Sequence, residues 1–439
     1  MPMRLAIVGK FPPIEGGVSG QTYWTALDLA QRGHEVHVVT NAGEVEPGYR
    51  EFLFGQDLGK VVGGAHANRL RVHQTTGMRR SGVIPWANPY GSKLFGAALS
   101  VVEEYGCELV LGWYFEPYGL AAAHAGNAAS KPVILRHAGS DVGRLAEHPD
   151  LRRSYRWMLG QATAVLSSGR ATAVSAILKE LGVTEKQLRV LRMPRLPRAY
   201  SEPCEPLDLD DLLPRLPAWY QQIALPTEIA DPLLRLNAKP FASGVPTVGI
   251  YGKIGEAKGS YQLLEALERT ARKGVAFNFL SIAGFRYADM LRYCAEIAER
   301  KELARRTWVL PTLAPWRIPA FLRACNVVCF LEHDFPITFH TPLIVREVLA
   351  SGACLVVSNE VAQKQPFRES LSDHKNVVLI PDPKDTQYLA DRIEALLANP
   401  EDTYVIGRHG QYLSETCEKF FWQRNTTADA LEDVHRQST

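Results

Sequence analysis

Short, uninterrupted apolar runs recur along this chain, separated by stretches whose apolar positions return every three or four residues. A strand buried on both faces reads as a continuous Val/Ile/Leu run, and a covering helix shows the 3.6-residue period. The alternation therefore predicts β/α units around parallel sheets. Residues 4–8 open the series as a strand, followed by the loop KFPPIEGGVSGQ, a helix over 22–32 and the strand EVHVVT at 35–40. Residues 42–88 are turn-rich and give little. Helices follow over 92–105, 119–129 and 151–159, with another inside SSGRATAVSAILKELGV, and strands over 109–112, 132–136, 164–166 and 188–192.

Residues 193–246 are rich in proline and interrupt the pattern, which predicts a connection carrying an insertion of its own. A second series starts at TVGIY, residues 247–251. Its strands are expected over 277–283, 308–310, 327–331, 353–358 and 377–380, its helices over 261–272, 287–301, 318–324, 343–350 and 386–397, and a helical tail over 405–433. At 439 residues the chain suits two domains. The boundaries read as 1–200, a linker at 201–245, a second domain at 246–415 and a terminal helix at 416–439.

Composition narrows the class. With 46% hydrophobic and 22% charged residues, the chain reads as a soluble globular protein. Forty-nine Lys and Arg stand against 47 Asp and Glu, which leaves no overall field for nucleic acid. The seven cysteines are scattered, odd in number and mostly set in apolar runs, as expected of reduced thiols in a cytoplasmic protein. Cys325 and Cys329 lack a second ligand pair, so no zinc site is expected. No run is long enough to span a bilayer, and any membrane contact would be peripheral.

Candidate chemistry lies in loops after strands, where open parallel sheets bind ligands. Gly16 and Gly17 let backbone approach a ligand, but their spacing does not fit the dinucleotide fingerprint, so a nicotinamide cofactor is disfavoured. In WYFEPYG the aromatic residues Trp113, Tyr114, Phe115 and Tyr118 surround Glu116, an arrangement suited to a sugar or another flat acceptor, although aromatic residues are more often core than lining. His137, in the HAGSD run, reads equally as a base or phosphate contact and as an imidazole hydrogen-bonded for structure. Lys253 and Lys258 share one loop between a strand and a helix. Further on, His340, Thr341 and Pro342 form a turn before a helix starting at Leu343. The amides around Thr341 and Leu343 and the positive end of that helix can bind phosphate, and Glu347, one turn in, can accept hydrogen bonds from vicinal hydroxyls. Arg346 and Glu347 are expected on the polar side of this helix.

Several of these runs together resemble the retaining, nucleotide-sugar-dependent glycosyltransferases of family four: LAQRGHEVHVVT, HAGSD, AVSAILKEL, GKIGEAKGSYQLLEAL, and REVLASGACLVVS before VVLIPDPKD. The resemblance implies an α/β chain of the GT-B fold, with two Rossmann-like domains facing a central cleft and a C-terminal helix crossing back to the N-terminal domain. It implies an acceptor-binding first domain and a donor-binding second domain. Lys253 and Lys258 would contact the donor pyrophosphate, Glu347 the ribose, and Gly16-Gly17 would close on the phosphates. Glu116, His137 and His340 are the catalytic candidates, with His340 or Thr341 touching the donor. Two departures stand out. Phe339 occupies the place of the family's first glutamate, for which Glu332 or Asp334 could substitute, and Phe115 precedes Glu116-Pro117 where a histidine is usual. The expected partners are a UDP- or GDP-linked hexose donor and an unidentified small-molecule, lipid or peptide acceptor, with no metal and no other cofactor. The alternative is a degenerate relative that binds nucleotide or sugar as a partner of another enzyme.

Overall fold

The apolar runs become strands that pair in parallel throughout the described residues. The computed structural model describes residues 2–62, 68–77, 89–168, 172–191, 196–284, 287–336, 341–421 and 426–438. Packing divides the chain into two units: Met1–Val45, Leu53–Arg195 and Trp422–Thr439, and then Glu46–Phe52 with Leu196–Phe421.

In the first unit the strands are β1 (Arg4–Gly9), β2 (Glu35–Thr40), β3 (Leu70–Gln74), β4 (Leu109–Trp113), β5 (Val133–Arg136), β6 (Ala164–Ser168) and β7 (Leu188–Leu191). They lie in the order β3-β2-β1-β4-β5-β6-β7. Leu5, Ala6, Ile7 and Val8 are wholly buried, as a central strand covered on both faces requires. β3 lies in the 42–88 stretch, which is turn-rich and gives little by sequence. It is an edge strand in which buried Leu70 alternates with the polar residues Arg71 and His73, so its apolar signal was weak. The terminal helix Thr427–Ser438 belongs to this unit, where Arg32 pairs with Asp429 at 2.7 Å and His34 Nε2 lies 3.0 Å from Glu432.

The second unit holds β8 (Thr247–Lys253), β9 (Asn278–Gly284), β10 (Thr307–Leu310), β11 (Val327–Phe330), β12 (Cys354–Ser358) and β13 (Val378–Ile380), in the order β10-β9-β8-β11-β12-β13. The proline-rich stretch read as a linker is largely helical, with helices at Leu209–Leu212, Leu216–Gln222 and Thr227–Asn237. Pro217 lies in the first turn of Leu216–Gln222, where its fixed φ suits a helix start, and Pro232 lies inside Thr227–Asn237, although both read as breakers in sequence. Asn237 ties the last of these helices to β10 by exchanging bonds of 2.8 and 2.9 Å with the Val309 backbone. The helical tail expected over 405–433 is two helices, Pro400–Phe421 in this unit and Thr427–Ser438 in the first.

In each sheet the strand order reverses beside the first strand of its unit: β1 against β4, and β8 against β11. The loops at the carboxyl ends of those strands part there, which opens a crevice for ligands.

Candidate functional site

In the first unit, the loop after β1 ends at Gly16, whose φ of 115° suits glycine, and the helix Gly17–Gln31 begins there. A side chain added at either Gly16 or Gly17 would meet nothing within 4 Å, so the backbone here is open to an approaching group. Gly9 pairs with Trp113, which brings the loop after β4 alongside. Glu116 lies in that loop half-buried, and burial raises its carboxyl above the usual range. The aromatic residues expected around it are mostly core: Trp113, Phe115 and Tyr118 are buried, and only Tyr114 is half-exposed. Phe115 meets Tyr155 edge-on, and the Arg136 guanidinium lies 3.9 Å from the centroid of the Trp113 ring. Packing of a parallel sheet against its helices consumes these rings.

His137 is buried, with Nε2 2.9 Å from Ser167 Oγ. Burial pushes its pKa down, Asp141 opposes that shift and Arg136 adds to it. Asp141 is the residue of the HAGSD run that sequence reasoning passed over. Wholly buried, it accepts from the amides of Phe115 (3.1 Å), Ala138 (3.0 and 3.1 Å) and Val142 (3.0 Å), which fastens the loop after β5 to the loop after β4.

In the second unit, Lys253 ends β8 and is exposed. Gly252, at φ 116°, lies against the first residue of the helix Ile344–Ser351; a Cβ there would sit 3.6 Å from Ile344 Cδ1. The Lys253 loop and the start of that helix are thus neighbours. Leu343 caps the helix with its carbonyl, accepting from Arg346 N at 2.9 Å and Glu347 N at 3.1 Å. Thr341 and Leu343 are half-buried, and the first helical amides have no acceptor within the helix. His340 lies outside the described residues, as does Phe339.

Glu347 is half-buried and accepts from Tyr251 Oη at 2.6 Å. Burial raises its carboxyl above the usual range, while hydrogen bonds from Tyr251 and Tyr200 act against the rise. Arg346 corrects the sequence reading, since it is buried rather than on the solvated side. An eight-residue helix packed along most of its length leaves little polar face.

Lys258 is partly buried and ion-pairs with Glu332. Its pKa is lowered, chiefly by burial; the Glu332 bond opposes this, and the charges of Lys253 and Lys364 add to the lowering. Asp334, the other substitute carboxylate, is exposed and paired with Lys384 at 2.6 Å. Tyr251, Tyr200, Lys364 and Asp141 carried no spacing signal, because what they touch lies in other elements. Among the described residues no group of His, Cys, Asp and Glu could hold a metal ion, and no helix is long and apolar enough to cross a membrane.

No curated protein sequence matches the chain. Solved structures match it over nearly its whole length. Sucrose-phosphate synthase from Thermosynechococcus elongatus is 16% identical at TM-score 0.61, over 99% of this chain and 98% of that one. HepE from Anabaena in complex with UDP-glucose is 16% identical at TM-score 0.60, over 100% of both chains. The catalytic domain of starch synthase IV from Arabidopsis thaliana, bound to ADP and acarbose, is 12% identical at TM-score 0.58, over 100% of this chain and 99% of that one. Residues 236–411 match the family profile of the glycosyl transferases group 1, and the chain as a whole has the two-domain GT-B fold.

Proposed function

We propose that the chain transfers a hexose from a nucleoside diphosphate sugar, UDP- or GDP-linked, to an acceptor hydroxyl with retention of configuration. One observation carries this reading. At the switch point of the second sheet, Gly252, next to Lys253 at the end of β8, lies against the first residue of the helix that bears Glu347, and Lys258 stands in the turn that follows. Cationic side chains and a positive helix end stabilise the charge that builds on a departing diphosphate. The Glu347 carboxylate, set by Tyr251, can take the ribose hydroxyls. The match of 236–411 to the group 1 profile and the likeness to HepE with its UDP-glucose support the choice of donor. Thr341 and Leu343 amides would add to the phosphate contacts, as would Gly16 and Gly17 in the first unit. Glu116, His137 and His340 are the groups proposed to act at the reacting centre, and the ammonium groups supply the charge stabilisation without a metal.

The test is a panel of nucleotide sugars assayed by thermal shift and by release of nucleoside diphosphate. UDP- or GDP-sugars are expected to raise the melting temperature and to be consumed slowly even without acceptor. A chain that no nucleotide sugar stabilises, and that consumes none, refutes the reading. A second reading, a protein that binds nucleotide or sugar without transferring it, is motivated by Phe339 and Phe115, which stand where the resembled family has its first glutamate and its histidine. Stabilisation without release would select it.

A further inference from the structure

Lys258 is not an open ammonium group. Its partner Glu332 is wholly buried in the loop after β11, and Lys364 Nζ approaches the other oxygen of that carboxylate at 3.3 Å. Lys364 also holds Glu360 at 2.6 Å. Both ammonium groups lie over the Phe335 ring, 3.6 and 5.4 Å from its centroid. The backbone holds this arrangement in place. Gly259 packs directly on Leu331, the His333 amide donates to the Ala257 carbonyl at 3.1 Å, and Ser358 Oγ donates to the Glu332 carbonyl. These bonds join the loops without help from the Glu332 side chain, so its carboxylate is not needed for that purpose.

Burying a carboxylate costs much of its hydration and is tolerated when cations sit against it. Here two cations, from the segments after β8 and β12, converge on a carboxylate in the loop after β11. Resting on the donor reading above, we propose that Glu332 is an internal counter-ion of the diphosphate site and Lys364 a third phosphate-binding group. In the free protein the carboxylate holds the two ammonium groups that a diphosphate takes up on binding. A diphosphate offers two charged phosphates to Lys258 and Lys364, with Lys253 beside them. A monophosphate returns fewer contacts for the same disruption, so the exchange favours UDP over UMP.

The experiment is calorimetric titration of the full chain with inorganic pyrophosphate, UDP and UMP, using the wild type, K364Q, E332Q and the double variant. K364Q is expected to weaken pyrophosphate and UDP roughly tenfold or more, the usual scale for losing a charged hydrogen bond. E332Q is expected to melt lower without ligand and to bind both more tightly, and the double variant to lose that gain. Because Lys364 is partly exposed, K364Q should fold and decides the matter even if E332Q does not. K364Q binding pyrophosphate within about twofold of wild type, or E332Q binding it more weakly, overturns the proposal. If pyrophosphate behaves as stated but no nucleotide or nucleotide sugar binds, the counter-ion assignment stands and the donor reading falls. If UDP binds the wild type and the variants leave it unchanged, the reverse holds. Neither pyrophosphate nor UDP binding the wild type or E332Q refutes both.

Discussion

Replacing Gly259 with alanine separates two costs that are usually confounded. Gly259 has φ 70°, where a Cβ is strained, and an added Cβ would stand 2.5 Å from both the Cβ and the carbonyl oxygen of Leu331. The left-handed conformation costs about 1–2 kcal/mol for a residue with a Cβ. The overlap is with backbone and its first side-chain carbon, which cannot swing aside, and overpacking of this kind adds about 1–3 kcal/mol. The sum is about 3 kcal/mol, or roughly 6–12 °C in melting temperature for a unit of roughly 230 residues. Gly274 is the control, since its φ is 81° but a Cβ there meets nothing within 4 Å. Gly274→Ala should incur the conformational cost alone, roughly 2–8 °C. Calorimetric melting of both variants, with UDP titration, reads out the difference. Gly259→Ala should also lose UDP affinity, because the Lys258 loop must shift away from Leu331, while Gly274→Ala should not. Equal melting temperatures for the two variants, or unaltered UDP affinity in Gly259→Ala, would refute the reasoning.

Other expectations follow from buried titratable groups and buried hydrogen bonds. Burial holds the Glu347 carboxyl above the usual range, so this group's contribution to stability falls as pH rises from the ordinary glutamate value through the raised folded one. On the proposed donor reading, its power to accept from a ribose grows over the same interval. Tyr251→Phe removes an opposing hydrogen bond, so the pH at which UDP binding sets in should move upward, and a titration of UDP affinity against pH that is identical in both proteins would contradict this. His37 and His73 are hydrogen-bonded to one another at 3.0 Å, and burial lowers both pKa values. The unfolded chain therefore binds protons first as pH falls below about 6.5, and each such histidine then removes about 1.4 kcal/mol of stability for every further pH unit, until the folded protein protonates as well. His73→Gln should flatten that slope in acid-unfolding curves. Asp141→Asn turns a buried acceptor of three amides into a group that also carries donors, and should lower stability by about 1–3 kcal/mol in urea denaturation.

The strands were legible because parallel strands covered on both faces need apolar residues at every position, and no neighbour has to be known to see that. β3 was not, since an edge strand is half polar. The helices between Leu209 and Asn237 were hidden because proline reads as a breaker, yet Pro217 opens one of them and Pro232 is carried inside another. Among the candidates, Lys253, Lys258 and Glu347 could be named because strand-end loops and a helix start announce themselves locally. The rings beside Glu116 stand, in sequence, between ligand lining and core, because an aromatic residue at a strand end can face either a ligand or the sheet's covering helices, and the residues that decide this lie far along the chain.

Taken alone, the order of residues determined two series of β/α units and the strand ends and helix start at which Lys253, Lys258 and Glu347 stand. Which charge meets which was decided only in three dimensions. Lys258 and Glu332 are 74 residues apart, and Lys364 is a further 32 along the chain from that glutamate, yet one carboxylate joins them. They meet because β8, β11 and β12 lie side by side in the sheet, although two strands and their helices separate the first from the second along the chain. Electrostatic interaction depends on distance through space and on lost hydration, and neither quantity is written in the spacing of residues along a chain.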